Sequence, residues 1–312
     1  MMANPLVIDV HVHFFASRRE GREQVNSYQG TEFGGPPVPP YCKYDGVLED
    51  VLDNMKVSKA SKAIMVHYYL GGLDRYSYVS KLPVAKREQA LKEFSATHKD
   101  ALKRSNYWAC EVLKPHKNLL PYVFVDPWIL GPKDAADHLT DLAKRHGAKG
   151  IKLHAPSQMF SMGDKRMWPV YETCRDLDLG IIAHSGTSVG RTQYGDPKAF
   201  VPVLKAFPKL KLVMAHLGNG SWRQTVEVAK AQPNAVFDTC ELIEWLGRPG
   251  SPTRQEFAQI IKDIGPQRVM LASDFPWWDT KHVADTVLGL PVLSTSEKEG
   301  ILGANAARFF GF

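Results

Sequence analysis

Five of the eleven histidines sit at or near the C-terminal ends of apolar runs: His11, His13, His154, His184 and His216. A sixth, His67, ends another run. His11 and His13 form an HxH pair, and residues two apart on a strand share a face. Both imidazoles therefore point the same way, with Asp9 expected on that face one step deeper as an orienting partner. His184 closes GIIAHSG, His216 closes KLVMAHLG, and Asp274 closes VMLASDFPWW. Lys152 lies in GIKLHAP, two residues before His154. Singly, each of these is more often a satisfied polar residue than a ligand. Together, four imidazoles and a carboxylate buried without partners would be costly. A divalent cation satisfies them jointly, since imidazole nitrogen and carboxylate oxygen suit Zn²⁺ and similar ions. Such a centre keeps a position for water, whose pKa it lowers towards about 7.

Eight apolar runs carry these residues, at 6–15, 62–69, 119–125, 148–154, 180–184, 210–217, 235–240 and 268–274. Most are apolar on both faces, as parallel strands covered by helices are. Helices are expected between them: 136–146, stopped by Gly147; 169–179; 197–207, with Asp196 as N-cap; and 252–264, behind Ser251. Eight strands alternating with helices fit a (β/α)8 barrel, expected as one domain over 1–312. A doubly wound sheet is the structural alternative, but no GxGxxG follows the first strand and no GxxxxGK[ST] occurs. Two segments exceed a minimal barrel. One is 16–45, containing GGPPVPPY, a lid or pocket wall if loops after strands line the catalytic face. The other is the helical stretch 85–116, between the second and third strands.

Composition narrows the function. The chain has 312 residues, 44% hydrophobic and 23% charged, enough apolar material for a full core. Its net charge of +6 is spread over alternating signs, without a block of five like charges, so nucleic acid is not an expected partner. No run approaches the roughly 18 residues needed to span a bilayer. The opening residues lack a basic, cleavable leader pattern. The four cysteines are scattered, without a CxxC, and read as reduced thiols of a cytoplasmic protein.

In order along the chain, DVHVH, AHSG, MAHLG, ASDFPW and the terminal GANAARFFGF resemble the amidohydrolase superfamily. More narrowly, they resemble the group that includes aminocarboxymuconate-semialdehyde decarboxylase and related hydrolases. The resemblance implies that His11, His13, His184 and Asp274 ligate a catalytic metal. Asp274 would double as general acid/base. His216 would contact the metal-bound water or the substrate, or ligate a second ion. In some branches a carboxylated lysine on strand four bridges two metals, a place Lys152 fits. One ion is favoured over two, with Zn ahead of Mn or Fe.

This constellation fits hydrolysis of a small amide, ester or lactone, which is placed first. It also fits non-oxidative decarboxylation of an aromatic or unsaturated acid, and the motifs do not separate the two. Arg191 and Arg248, on loops after strands five and seven, are candidates for a substrate carboxylate. Trp277 and His154 are further substrate contacts. Aromatics at strand ends, among them Tyr68, Trp128 and Trp278, suggest a flat or apolar small molecule. A homodimer, common for such barrels, is the one protein partner considered.

Overall fold

Eight parallel strands pair in chain order: β1 (Ile8–His13), β2 (Lys62–Val66), β3 (Leu119–Phe124), β4 (Gly150–Leu153), β5 (Gly180–Ala183), β6 (Lys211–Met214), β7 (Val236–Asp238) and β8 (Val269–Met270). The computed structural model describes residues 5–28, 30, 33, 39–73, 75–188 and 191–312. The seam between β8 and β1 is closed by Val10 N–H to Leu271 O at 3.0 Å, His13 N–H to Phe275 O at 2.8 Å and Asp274 N–H to His11 O at 2.9 Å. The chain is a single (β/α)8 barrel with helices between its strands. No helix among the described residues is long and apolar enough to cross a membrane.

Helix ends differ from expectation where capping chemistry decides. The helix Arg254–Ile264 starts at Thr253, not behind Ser251. Thr253 and Glu256 form a reciprocal capping box, which outcompetes a lone serine. The stretch expected as one helix behind Asp196 splits into a 3₁₀ turn, Pro197–Phe200, and the helix Val201–Ala206. Asp196 stands at the N-cap of the 3₁₀ turn as expected, but its carboxylate makes no capping bond and accepts instead from the Ser221 hydroxyl at 2.7 Å. His138 is buried in Pro132–Arg145, where its Nε2 lies 3.2 Å from Asn106 Nδ2.

One irregularity aims the active face. The β1–β2 register shifts between Asp9 and Val12. Ile8 and Val10 join the apolar cluster inside the barrel, whereas Val12 packs in the cluster outside it. The bulge lets Val10 and His11, adjacent in sequence, both face inward, and His13 follows. Asp9 is thereby turned out of the lumen. Its carboxylate accepts from Thr280 Oγ1–H at 2.6 Å and from the His11 and Ser273 backbone N–H groups at 3.1 Å. The expectation that Asp9 orients an imidazole is corrected: it fastens β1 to the chain after β8.

Strict alternation governs the remaining strands. Ile182, Val213, Val236, Met270 and Ala272 fill the lower barrel, and polar residues above them form an upper layer. Tyr122 fills the bottom, and Gly150 and Gly180 leave room for its ring. A Cβ on Gly150 would run into the Gly180 carbonyl oxygen and the Tyr122 ring. Gly150→Ala is therefore expected to cost about 1–3 kcal/mol through overpacking, read as a lower urea midpoint with an unchanged slope.

Both insertions lie where the sequence places them. The first begins with the helix Arg18–Ser27, capped by Ser17. It reaches over the ends of β7 and β8, where Phe33 stacks on Trp245 at 4.5 Å and Tyr41 packs on Trp278 at 5.3 Å. Of its GGPPVPPY stretch, residues 34–38 lie outside the described residues. The second contains the 30-residue helix Val84–Leu113.

Candidate active site

The upper layer gathers the polar side chains that the strands carry to their C-terminal ends. His11 is wholly buried. Its Nε2 lies 3.3 Å from Asp274 Oδ1 and 2.7 Å from Lys152 Nζ. His13 Nε2 lies 3.2 Å from the same Asp274 oxygen. One ligand atom from each of His11, His13 and Asp274 falls within 4.8 Å of the others. His184 stands outside this trio, its ring stacked on His154 at 4.2 Å and tilted against His216 at 4.7 Å. His216 in turn packs on His11 at 5.2 Å, so the five imidazoles are contiguous through His13.

Backbone strain is concentrated on the same rim. His216, Glu241 and Asp274 have φ of 66°, 60° and 58°. Non-glycine residues seldom adopt these values unless surrounding contacts hold them. Here the holding contacts are visible. Asp238 Oδ1 accepts from the His216 backbone N–H at 2.7 Å, and the His11 carbonyl accepts from that of Asp274. Glu241 accepts from Tyr28 Oη–H at 2.9 Å and Asn219 Nδ2–H at 2.6 Å. The first insertion is thus tied directly to the rim.

Of the proposed substrate contacts, Trp277 meets His13 edge-on at 5.2 Å. His154 adjoins His184, and Arg191 is close enough for its charge to depress both. Arg248 is exposed in a turn after β7, bound to Ser251, without contact to the histidines among the described residues. Tyr68 packs on His13 at 4.6 Å, so Tyr68 and Trp277 flank that ring. Trp278 is instead core beneath the insertion with Trp245, and Trp128 stacks on Phe160.

Burial shapes the charges. It pushes His11, His13, His184 and His216 below the usual imidazole value, His184 to about 3, and Lys152 adds to the effect. These rings are neutral at pH 7, with a lone pair each. Burial also lowers Lys152 to about 8, against the pull of Asp274. For Asp274 burial works upward, but the adjoining imidazoles and Lys152 outweigh it and hold the carboxyl below its ordinary range. A carboxylate therefore faces neutral imidazoles.

That arrangement fits a cation. His11 Nε2 and Asp274 Oδ1 lie 3.3 Å apart, with Lys152 Nζ beside them as one positive charge. His13 Nδ1 and His184 Nε2 are buried without a hydrogen-bond partner among the described residues. Nitrogen and carboxylate donors are the set that Zn²⁺ and Mn²⁺ accept.

Two residues of this layer were given no role in the site from the sequence. Asp238 and Cys240 lie fully buried against His11 and His216. The available signal was an aspartate and a cysteine two apart in the apolar run 235–240, hence on one face of a strand.

The amidohydrolase family profile matches residues 8–312. A curated relative, 2-amino-3-carboxymuconate-6-semialdehyde decarboxylase of Dictyostelium discoideum, is 25% identical over 194 residues, 53% of this chain. The match spans about half of that relative's own length, 54%. Among solved structures, an uncharacterised TIM-barrel protein of Bordetella bronchiseptica superposes with a TM-score of 0.70 at 20% identity, covering 98% of each chain. 5-Carboxyvanillate decarboxylase of Sphingomonas paucimobilis gives 0.68 at 14%, covering 99% of this chain and 100% of its own. Dihydroxybenzoic acid decarboxylase of Polaromonas sp. JS666, solved with manganese and the inhibitor 2-nitroresorcinol, gives 0.69 at 16%, covering 99% and 97%. At these identities the structural likeness establishes the fold alone.

Proposed function

The chain belongs to the amidohydrolase family, and from that premise we propose that it is a metal-dependent, non-oxidative decarboxylase of an aromatic or unsaturated carboxylic acid. The carrying observation is the His11–His13–Asp274 trio, two buried imidazoles and a partly buried carboxylate, flanked by two aromatic rings. The expectation that hydrolysis comes first is corrected by the relatives named by activity, which are decarboxylases. The motifs alone had no power here, because the same ligand types serve both reactions.

His11, His13 and Asp274 would hold the cation, with the unpartnered His184 Nε2 as a fourth donor. When bound, a divalent ion such as Mn²⁺ or Zn²⁺ supplies an anchor and an electron sink for an anionic substrate. Tyr68 and Trp277 form walls against which a planar acid can lie. Arg191, whose charge already reaches His154 and His184, adds positive potential for a carboxylate. In the reaction the bond between the substrate carbon and its carboxyl group breaks and CO₂ leaves. The same carbon takes up one proton; Asp274, ionised at rest, first takes that proton from a water molecule that entered with the substrate and then hands it to the carbon, leaving hydroxide to be neutralised by solvent. The chain itself is not oxidised or reduced.

The test is to incubate the purified chain with Mn²⁺ or Zn²⁺ and a panel of hydroxybenzoates, carboxyvanillate and unsaturated diacids. The expected result is CO₂ release matched one to one by the decarboxylated product. Hydrolysis of esters, lactones or amides without CO₂ from any acid would overturn the reading.

A further inference from the structure

Behind two of the site histidines lies a pair of side chains to which the chemistry above gives no part. Asp238 ends β7 and Cys240 follows two residues later, both fully buried. Asp238 Oδ2 lies 3.2 Å from His11 Nδ1. Its other oxygen, Oδ1, accepts from the His216 backbone N–H at 2.7 Å and from the Cys240 thiol at 3.1 Å. Cys240 Sγ lies 3.3 Å from His11 Nδ1 and 3.1 Å from His216 Nδ1. The rear nitrogens of both rings converge on one Asp-x-Cys unit.

Counting hydrogens fixes how that unit works. A neutral imidazole carries one N–H, and a carboxylate only accepts. With Asp238 Oδ2 3.2 Å from His11 Nδ1, the His11 N–H sits on Nδ1 and Nε2 is left bare. Cys240 gives its S–H to Asp238 Oδ1, which leaves sulfur lone pairs for an N–H on His216 Nδ1. The Nε2 of His216 is then bare as well.

We propose that Asp238 and Cys240 are positioning residues that hold His11 and His216 in the Nδ1–H tautomer, so that both Nε2 lone pairs face the mouth of the barrel. The role differs from that of a ligand. A second-layer carboxylate of this kind fixes ring orientation and raises ligand basicity, and its loss typically costs about 10–100-fold in metal affinity. Asp238 acts twice, since the oxygen that does not serve His11 holds the left-handed turn at His216. The affinity consequence rests on the metal-centre reading; the tautomers do not.

The experiment uses the full chain labelled with ¹⁵N-histidine. Long-range proton–nitrogen spectra of the metal-free native protein are expected to show Nδ1–H on His11 and His216. Asp238→Asn removes the carboxylate acceptor at His11 Nδ1, and Nδ1–H is then expected to cease to be the single His11 tautomer. The same variant is expected to bind Co²⁺ about 10–100-fold more weakly in chelator competition. Cys240→Ala should release His216 from a single tautomer and leave His11 unchanged, and it decides the matter if Asp238→Asn does not fold. Nε2–H on His11 in the native chain would overturn the proposal. Native tautomers and native affinity in Asp238→Asn would do the same. A thiolate-to-cobalt charge-transfer band would also overturn it, because Cys240 would then be a ligand within the His11, His216, Asp238 and Cys240 set. Should the native chain take up no cobalt, the metal reading fails, and the native spectrum still decides this one.

Discussion

Asp274→Asn is expected to lower decarboxylation by about 10²–10⁴-fold, the range general acid–base groups supply, with the barrel still folded. The substitution is nearly isosteric, and the backbone N–H of residue 274 keeps its bond to the His11 carbonyl. What is lost is the charge and the proton. An amide cannot shuttle a proton, and its single carbonyl oxygen is a weaker donor to a cation than a carboxylate oxygen. Two imidazole nitrogens, at 3.2 and 3.3 Å, converge on the one oxygen Oδ1. Metal content should therefore fall along with turnover. The check is kcat for CO₂ release, elemental analysis of the variant and a thermal melt. Wild-type turnover in a folded, metal-replete variant would remove Asp274 from the mechanism.

The second large effect is metal removal. Stripping the protein with a chelator is expected to bring CO₂ release to background, and adding back Mn²⁺ or Zn²⁺ to restore it. The same treatment should lower the melting temperature. A ligand at 100 times its dissociation constant stabilises the native state by about 2.7 kcal/mol, and a cation held by His11, His13 and Asp274 would act near the barrel seam. The sign follows from the site. Without a cation, the partly buried Asp274 carboxylate has Lys152 as its nearby positive charge, and two buried ring nitrogens have no partner among the described residues. Turnover that persists in protein shown to be metal-free would leave the histidines as acids, bases or binding groups only.

The barrel was legible because eight apolar runs alternate with helical stretches, and a parallel strand covered on both faces leaves that trace. The contiguous His11, His13 and Asp274 were legible because HxH fixes a shared face and a strand-end aspartate stands out. The bulge after Asp9 was not, since one extra residue in a ladder has no letter of its own. It reversed the side on which Asp9 falls and removed it from the site. His184 shows a related limit. Its place at a strand end was readable, but not that its ring would stack on His154 and stand outside the trio. Asp238 and Cys240 were given no role because an aspartate and a cysteine two apart match no familiar ligand spacing, and a scattered cysteine reads as a reduced thiol. Arg248 shows the reverse failure. A loop after a strand is a good address for a substrate contact, but a turn bound to Ser251 keeps this side chain exposed.

If His11, His13 and Asp274 hold the divalent cation on which decarboxylation depends, anomalous diffraction at the manganese edge, from crystals grown with Mn²⁺, will locate it. One strong peak is expected, bounded by His11 Nε2, His13 Nε2 and an Asp274 carboxylate oxygen. A peak elsewhere, for example between Asp238 and Cys240, or no peak in protein that releases CO₂, would contradict it.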